Sequence, residues 1–337
     1  MDALIALKGL RIGGSSGSVM VKASFALSSI LIAHPQPRAC ADLTAWLRLM
    51  GVRDLVLVDD WSAARAHLDH RFFDLFITEV SGSEAVAAQF IQNLRHGDFG
   101  LNPFISVLAT SWRMQPGPVR ETLRSGVDDL LARPFTFRQV EARLNALILE
   151  RRPFVVTAEY VGPDRRRHER GEADARKAGR YLFDAPNLFK AKVLADARAV
   201  KAEENRIAPI RALVLQEKMR RIASHVAEDA AGLAARADHD EGTGVTDHDL
   251  AAQFGQIRMR AQLLRRVAEI SEADGARALA DQMIAVAQAA GSNGARDGAA
   301  VLQSMGEALP AALDPQAQTP PIETPGEDED ASSSAAA

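Results

Sequence analysis

The sequence predicts an α/β fold with a five-stranded, doubly wound parallel sheet, followed by an all-helical region. Between residues 28 and 150, short continuous apolar runs alternate five times with segments of helical periodicity. Such runs are typical of parallel strands that are buried on both faces. After residue 187 the strand-like runs stop, and apolar residues recur at the spacing of one face of a helix.

Turn signals separate the predicted elements. The first strand ends at Pro35 and Pro37, and Gly51 ends the first helix. Gly126 ends the fourth helix, and Pro134 follows the fifth strand. The predicted strands are residues 30–33, 55–58, 75–78, 104–108 and 129–132, and the predicted helices include residues 41–50, 62–68, 90–94, 119–125 and 137–150.

Two apolar stripes define the helical region, which we place at residues 187–312. The stripes are Leu215, Met219, Ile222 and Val226, and Leu250, Phe254, Ile257, Ala261 and Leu264. Because amphipathic helices bury such a stripe against a neighbour, we expect two long antiparallel helices that carry the output or a dimer contact. A third, short helix is predicted near residues 299–309.

Composition divides the rest of the chain. Residues 1–27 contain a glycine- and serine-rich run, which is typical of a flexible extension. Residues 151–186 are predicted to be a basic linker, because Lys and Arg exceed Asp and Glu by 18 to 10 between residues 151 and 221. Residues 313–337 have little to bury and are predicted to be a disordered acidic tail.

The bulk composition limits the function classes. The chain has 337 residues, a net charge of −4 and one cysteine, so an intrachain disulfide is excluded. No apolar run approaches the roughly 18–20 residues of a membrane span. No motif for hydrolysis, redox chemistry or nucleotide binding is present. We therefore expect a cytoplasmic protein that is not an enzyme and needs no cofactor.

Several motifs resemble a known family. The five βα repeats, Gly126 and Arg133-Pro134-Phe135 together resemble the receiver domain of two-component response regulators, whose flavodoxin-like sheet has the order 2-1-3-4-5. The segments similar to alphaproteobacterial response regulators are residues 102–104 (NPF), 110–112 (TSW), 125–131 (SGVDDLL), 153–157 (PFVVT) and 160–167 (YVGPDRRR). The resemblance covers about residues 28–170.

The resemblance implies a phosphorylation site at the carboxyl ends of the strands. Receivers bind Mg²⁺ with an acidic pair after strand one and an aspartate after strand three, and that aspartate takes the phosphoryl group. A Thr or Ser after strand four and a Lys after strand five contact the phosphate. A hard cation needs carboxylate oxygens, and the phosphoryl group needs positive charge to offset its own.

In this chain other residue types occupy those positions. In the order acidic pair, acceptor, hydroxyl, aromatic switch and lysine, they are His34 and Pro35, Glu79, Ser111 (or Thr110 if the strand shifts by one residue), Leu130 and Arg133. No lysine lies between Lys22 and Lys177. We therefore expect a degenerate phosphoacceptor site, in a domain spanning residues 28–150, that binds no metal.

Two aspartates imitate the missing acidic pair. Asp59 and Asp60 follow the second predicted strand, but Asp60 precedes Glu79 by only 19 residues, whereas His34 precedes it by 45. Only the longer distance suits a full βαβα unit, so the aspartates are predicted to form a turn.

We expect Arg133 to pair with Glu79 in a bidentate arrangement. Two interpretations of that pair stay open. It locks the domain in a state that imitates phosphorylation, or it neutralises a former active site in an inert scaffold.

The leading hypothesis is a phosphorylation-independent signalling protein that acts as a protein–protein interaction module in two-component (phosphorelay) signalling. Its partner would be another two-component protein or a second copy of the chain. The basic run Arg165, Arg166, Arg167 and Arg170 is a candidate docking strip for an acidic protein. No groove-reading helix follows that run, which disfavours nucleic acid. The alternatives are a nucleic-acid-binding regulator that uses the linker and helices, and a histidine phosphotransfer module acting through His225.

Overall fold

The computed structural model describes residues 24–165, 181–238, 247–290 and 295–313. The chain divides into two compact units, residues 1–221 and residues 222–337. The boundary lies within one helix, Ala197–Asp238. None of the helices in these ranges combines the length and apolarity that crossing a membrane requires.

A five-stranded parallel sheet in the order β2-β1-β3-β4-β5 forms the centre of the first unit, so the predicted fold class is confirmed. The strands are β1 Ser29–Ala33, β2 Asp54–Val58, β3 Leu75–Glu79, β4 Ser106–Ser111 and β5 Asp129–Ala132. Every residue of the three central strands is buried. Burial on both faces explains why these strands appear as continuous apolar runs.

Helices cover both faces of the sheet. They are α1 Ala41–Leu49, α2 Trp61–His70, α3 Glu84–Arg95, α4 Pro116–Arg124 and α5 Phe137–Leu149. Leu43 of α1 and Leu144 of α5 belong to one apolar core, and Leu68 of α2 and Ile91 of α3 belong to the other. Two helix starts show local signals: Asp60 caps α2, and Thr136 forms a capping box at α5.

The linker interpretation of residues 151–186 is wrong for the described part of that segment. Its strands β6 Phe154–Val156, β7 Val161–Pro163 and β8 Tyr181–Phe183 form an antiparallel sheet in the order β7-β6-β8. Phe104, fully buried, lies 6.3 and 5.7 Å from the Phe154 and Phe183 rings, measured between centroids. Each strand has three residues. Such short runs are easily masked by the surrounding charge.

Two further segments complete the first unit. Residues 24–27, assigned to the flexible extension, include a 3-10 turn in which Phe25 packs on Phe189, with ring centroids 5.9 Å apart. Phe189 belongs to helix α6, Leu188–Val193. Lys192 of α6 donates to Asp74 beside the start of β3 (Nζ to Oδ2, 3.0 Å). The rest of the predicted extension, residues 1–23, and residues 314–337 of the predicted tail lie outside the described residues.

The second unit is helical. It begins within α7, Ala197–Asp238, and continues with α8 Asp247–Ile270, α9 Asp274–Ala290 and α10 Ala295–Ala312. Val226 and Leu264, from the two predicted stripes, are fully buried. Helix α10 contains the predicted short helix and extends it at both ends. Helix α9 was not predicted, because four of its five buried residues are alanines and give a weak apolar pattern.

Candidate functional site

The candidate site lies at the carboxyl ends of four parallel strands, where this class of fold places its ligands. His34 follows β1, Glu79 ends β3, Thr110 lies near the end of β4, and Arg133 follows β5. The side chains of His34, Glu79 and Arg133 are 6%, 4% and 8% exposed. The fold therefore brings together four of the residues that the sequence singled out.

Hydrogen-bond donors surround the Glu79 carboxylate. Arg133 Nε donates to Oε2 at 2.6 Å, and Thr110 Oγ1 donates to the same oxygen at 2.7 Å. The backbone N–H of Ser81 donates to Oε1 at 3.1 Å. Both carboxylate oxygens are therefore engaged by groups of the chain itself.

The Glu79–Arg133 ion pair is confirmed, but its geometry is not bidentate. Only Nε of Arg133 contacts the carboxylate, while Nη1 donates to the Ala39 carbonyl at 3.4 Å. The guanidinium also lies 4.7 Å from the Phe135 ring centroid and 5.9 Å from that of Trp112. Stacking on aromatic faces favours an arginine over a lysine at this position.

His34 is the third charged or chargeable group at the site. Its Nδ1 accepts a hydrogen bond from the backbone N–H of Gln36 at 3.0 Å. The neutral ring therefore carries its proton on Nε2, which lies 3.9 Å from Oε2 of Glu79. Burial and the positive charge of Arg133 lower the pKa of His34, and the Glu79 carboxylate opposes them. His34 is accordingly neutral at pH 7.

The structure separates the two candidate hydroxyl groups. Thr110 pairs with Glu79 across β3 and β4 and reaches its carboxylate. Ser111 turns elsewhere: its Oγ lies 3.1 Å from Ser81 Oγ and accepts from the Arg113 backbone N–H at 2.9 Å. Strand β4 runs to residue 111 rather than 108. Thr110 is therefore the hydroxyl that lies at the site.

The other predicted site residues stand apart. Pro35 is exposed and Leu130 is half-buried, and neither side chain has a polar atom to offer the site. Asp60 is exposed in the short segment between β2 and α2, in agreement with the prediction, and it also caps α2 by accepting from the backbone N–H of Ala63 at 2.7 Å. The Asp60 carboxylate therefore serves as a helix cap and does not take the place of the missing acidic pair at the Glu79 site.

The residues at the site do not fit Mg²⁺. The cation takes near-octahedral oxygen ligands, whereas an imidazole and a proline follow β1. The oxygens of Glu79 already accept from cationic and neutral donors. Among the described residues, no group of three or more His, Cys, Asp and Glu side chains is placed to hold a metal ion.

A buried ionic cluster at the opposite end of the sheet was not predicted. Asp128 lies just before β5, and its Oδ2 accepts from Arg95 Nη2 at 2.8 Å while its Oδ1 accepts from Arg151 Nε at 2.7 Å. Burial opposes ionisation of Asp128, but Arg151 and Arg95 lower its pKa. Burial lowers the pKa of Arg95 to about 10. Nothing local in the sequence marks these arginines, because their partners lie 23 to 33 residues away.

The predicted basic docking strip is only partly described. The Nε of Arg165 donates to the Leu123 carbonyl at 3.3 Å, and its Nη2 donates to the Val127 carbonyl. This side chain is therefore bound to the backbone of the first unit. Arg166, Arg167 and Arg170 lie outside the described residues.

His225 is exposed on α7 in the second unit. Its backbone carbonyl accepts from Arg260 Nη1 of α8 at 3.3 Å, and the same nitrogen contacts Asp229. The helical unit thus presents this imidazole to solvent.

Comparison with known proteins finds matches among solved structures only. One is the receiver domain of a sensor histidine kinase from Pseudomonas aeruginosa PAO1, whose structure has magnesium in the active-site cleft. It is 21% identical in sequence, and the match has a TM-score of 0.31 and covers 34% of this chain and 93% of the receiver domain. A response-regulator receiver domain from Bermanella marisrubri is 16% identical, with a TM-score of 0.31 over 35% and 94%. A pilus assembly-related protein from Burkholderia pseudomallei K96243 is 18% identical, with a TM-score of 0.31 over 36% and 89%. No protein-family model and no curated protein matches the chain.

Proposed function

We propose that this chain is a signalling protein that acts through protein–protein contacts and is not switched by phosphorylation. In this proposal it is a cytoplasmic, non-enzymatic component of two-component signalling that carries no cofactor. The observation that supports it most directly is the closed Glu79 site. Thr110 and Arg133 already donate to the carboxylate, at the strand ends where the resemblance implies contacts to a phosphoryl group.

We infer that these contacts hold the domain in one state. The resemblance implies that the hydroxyl and the cation of a receiver contact the phosphoryl group on its acceptor. Here the corresponding groups, Thr110 and Arg133, contact the Glu79 carboxylate itself, and the Glu79 side chain is only 4% exposed. A permanently closed site leaves a constant surface for a partner, which suits a docking module.

A beryllofluoride titration tests the proposal. The full chain is mixed with Mg²⁺ and beryllofluoride, and tryptophan fluorescence is followed, with a Trp112→Phe variant to assign the signal. Trp112 is a suitable reporter because its ring lies 5.9 Å from the Arg133 guanidinium. We expect no saturable change, because the site offers no acidic pair for the metal. A saturable, magnesium-dependent change in Trp112 fluorescence would contradict the proposal.

A Glu79→Asp variant is the matched control. It restores the residue type of the usual acceptor but leaves His34 and Pro35 in place of the acidic pair. We expect this variant to stay silent as well. A response in Glu79→Asp but not in the natural chain would show that only the acceptor is degenerate.

The exposed His225 favours a second candidate function, phosphotransfer through the helical unit. A phosphohistidine is labile in acid. Incubation with a phosphodonor kinase and labelled ATP, followed by acid treatment, would reveal an acid-labile label that a His225→Gln variant lacks. Absence of that label excludes phosphotransfer from the donor used.

A further inference from the structure

A groove between α3 and α4 is a surface feature of the first unit that the candidate site does not use. Its volume is about 510 Å³. Helix α3 lines it with the small residues Ala85 and Ala88 and with two glutamines. Helix α4 contributes Arg120, Glu121 and Arg124. The groove therefore has small apolar residues on one side and charged residues on the other.

Helices α3 and α4 form the two walls of the groove. Both return from the carboxyl ends to the amino ends of the parallel strands, so they run side by side in the same direction. Small residues allow a partner backbone to approach closely, since helix packing distances depend on the side chains at the contact.

The charges of the groove are available to a partner. Arg120 and Arg124 lie one helical turn apart and are exposed. Within the described part of the chain, neither guanidinium forms an ion pair or a hydrogen bond. By contrast, Arg113, which precedes α4, contacts Glu84 of α3 at 3.3 Å. The two groove arginines are thus exposed and are not engaged by any carboxylate of the described residues.

We propose that the α3–α4 groove docks an acidic amphipathic helix of a partner protein. Carboxylates spaced three or four residues apart on that helix would meet Arg120 and Arg124, since residues at this spacing share one face. The partner's small or apolar residues would cover Ala85, which is exposed, while Ala88 is already buried. The proposal rests on the function proposed above and names the surface and the kind of partner.

Nucleic acid fits the groove less well. Glu121 lies between the two arginines in sequence and lines the same groove. Its negative charge repels a phosphate backbone, whereas it can pair with a basic side chain of a helix. Two arginines also neutralise few phosphates compared with the 6–10 contacts of a typical DNA-binding protein. The mixed charge pattern therefore favours a protein helix.

A displayed library of helical peptides with randomised outer positions tests this inference. The library is selected on the full chain and counter-selected on an Arg120→Glu/Arg124→Glu variant. We expect the enriched peptides to carry Asp or Glu pairs three or four residues apart. Their affinity should fall about tenfold or more in the double variant, because opposed charges become like charges. Replacing those acidic residues by Lys should restore binding to the double variant.

An Arg138→Glu variant is the matched control, because Arg138 is an exposed arginine of α5. Its affinity for the selected peptides should equal that of the natural chain. The inference is overturned if no peptide is enriched, if the peptides lack acidic pairs, or if the double variant binds them as tightly. The inference is also overturned if a short DNA duplex binds the natural chain and the Arg138→Glu control but not the Arg120→Glu/Arg124→Glu variant.

The proposed function and the groove assignment can be contradicted independently of each other. The charge-reversed groove leaves Glu79, Thr110 and Arg133 unchanged. A negative peptide selection therefore removes the groove assignment but leaves the beryllofluoride result standing. A positive beryllofluoride response removes phosphorylation independence and does not affect peptide binding at the groove.

Discussion

At the residue scale, Glu79 and Arg133 show how burial changes the meaning of an ion pair. Both side chains are less than a tenth exposed, so water does little to screen them. Removing one partner of such a pair leaves a buried charge without compensation. The pair is therefore expected to couple more strongly than an ion pair at the surface.

A double-mutant cycle on Glu79 and Arg133 measures that coupling. Arg133→Ala should destabilise the first unit by about 2–4 kcal/mol, since Thr110 and Ser81 still satisfy part of the carboxylate. Adding Glu79→Ala should recover part of the loss, with a coupling of about 1–3 kcal/mol in urea unfolding. The control pair is Arg113 and Glu84, whose arginine is 55% exposed. We expect under about 1 kcal/mol there. A coupling near zero between Glu79 and Arg133 would contradict the inference that this pair holds the domain in one state.

His34 should make stability depend on pH. Its pKa is lowered in the folded chain, so the unfolded chain binds the proton more readily. The stability associated with neutral His34 is complete above the unfolded pKa. It is lost as the pH falls below about 6.5, until the folded pKa is reached. A tenfold difference in proton affinity corresponds to about 1.4 kcal/mol.

Urea unfolding between pH 8 and pH 5 checks this prediction. The natural chain should lose more stability over that range than a His34→Gln variant, which cannot titrate. The difference has a second physical reason: a protonated Nδ1 can no longer accept from the Gln36 backbone N–H. Parallel pH profiles of the two proteins would contradict the pKa shift.

At the scale of single elements, the helices of the second unit depend on their buried stripes. Leu264 of α8 is 0% exposed. Leu264→Asp should therefore cost about 4 kcal/mol or more, because it places an unpaired carboxylate in a core. Met259 of the same helix is 63% exposed, so Met259→Asp is a matched control with little expected effect. Thermal unfolding followed by circular dichroism compares them, and equal losses would contradict the helix orientation.

The three-stranded sheet β6–β8 differs most from its prediction, because the sequence indicated a basic linker there. The guanidinium of Arg151 lies 4.9 Å from the Phe154 ring, and its Nη2 donates to the Phe104 carbonyl at 2.7 Å. Gly126 has φ +98°, and an added Cβ there would lie 2.9 Å from the Val161 carbonyl oxygen. That close approach requires glycine. The sheet is therefore part of the first unit's core.

At the scale of the whole molecule, the first unit should need residues beyond 150 to be stable. A fragment of residues 24–150 lacks Arg151, Phe154 and Lys192. Asp128 and Asp74 then lose cationic partners, and Phe104 becomes exposed. We expect the fragment to be several kcal/mol less stable than residues 24–221, since buried charges without partners are costly. Urea unfolding of both fragments measures this difference, and equal stability would show that β6–β8 adds nothing.

The sequence by itself determined the five strands of the parallel sheet and the strand ends at which Glu79 and Arg133 lie, but it missed the three strands β6–β8. The strands follow from local periodicity, because parallel strands buried on both faces appear as continuous apolar runs. Their order in the sheet was implied by the resemblance to receiver domains. The chain order of strand and helix then places the residue after each strand at one edge of the sheet. The contact between Glu79 and Arg133 could therefore be predicted without any knowledge of side-chain packing.

Only the tertiary structure decided which hydroxyl meets Glu79, how Arg133 contacts it and which charges are buried. The register of β3 against β4 selects Thr110 over Ser111, and a one-residue shift reverses the faces of a strand. In the buried cluster, Asp128 contacts arginines that lie 23 and 33 positions away in the sequence. Such contacts leave no local period in the sequence, and their energies depend on burial, which exists only once the chain has folded.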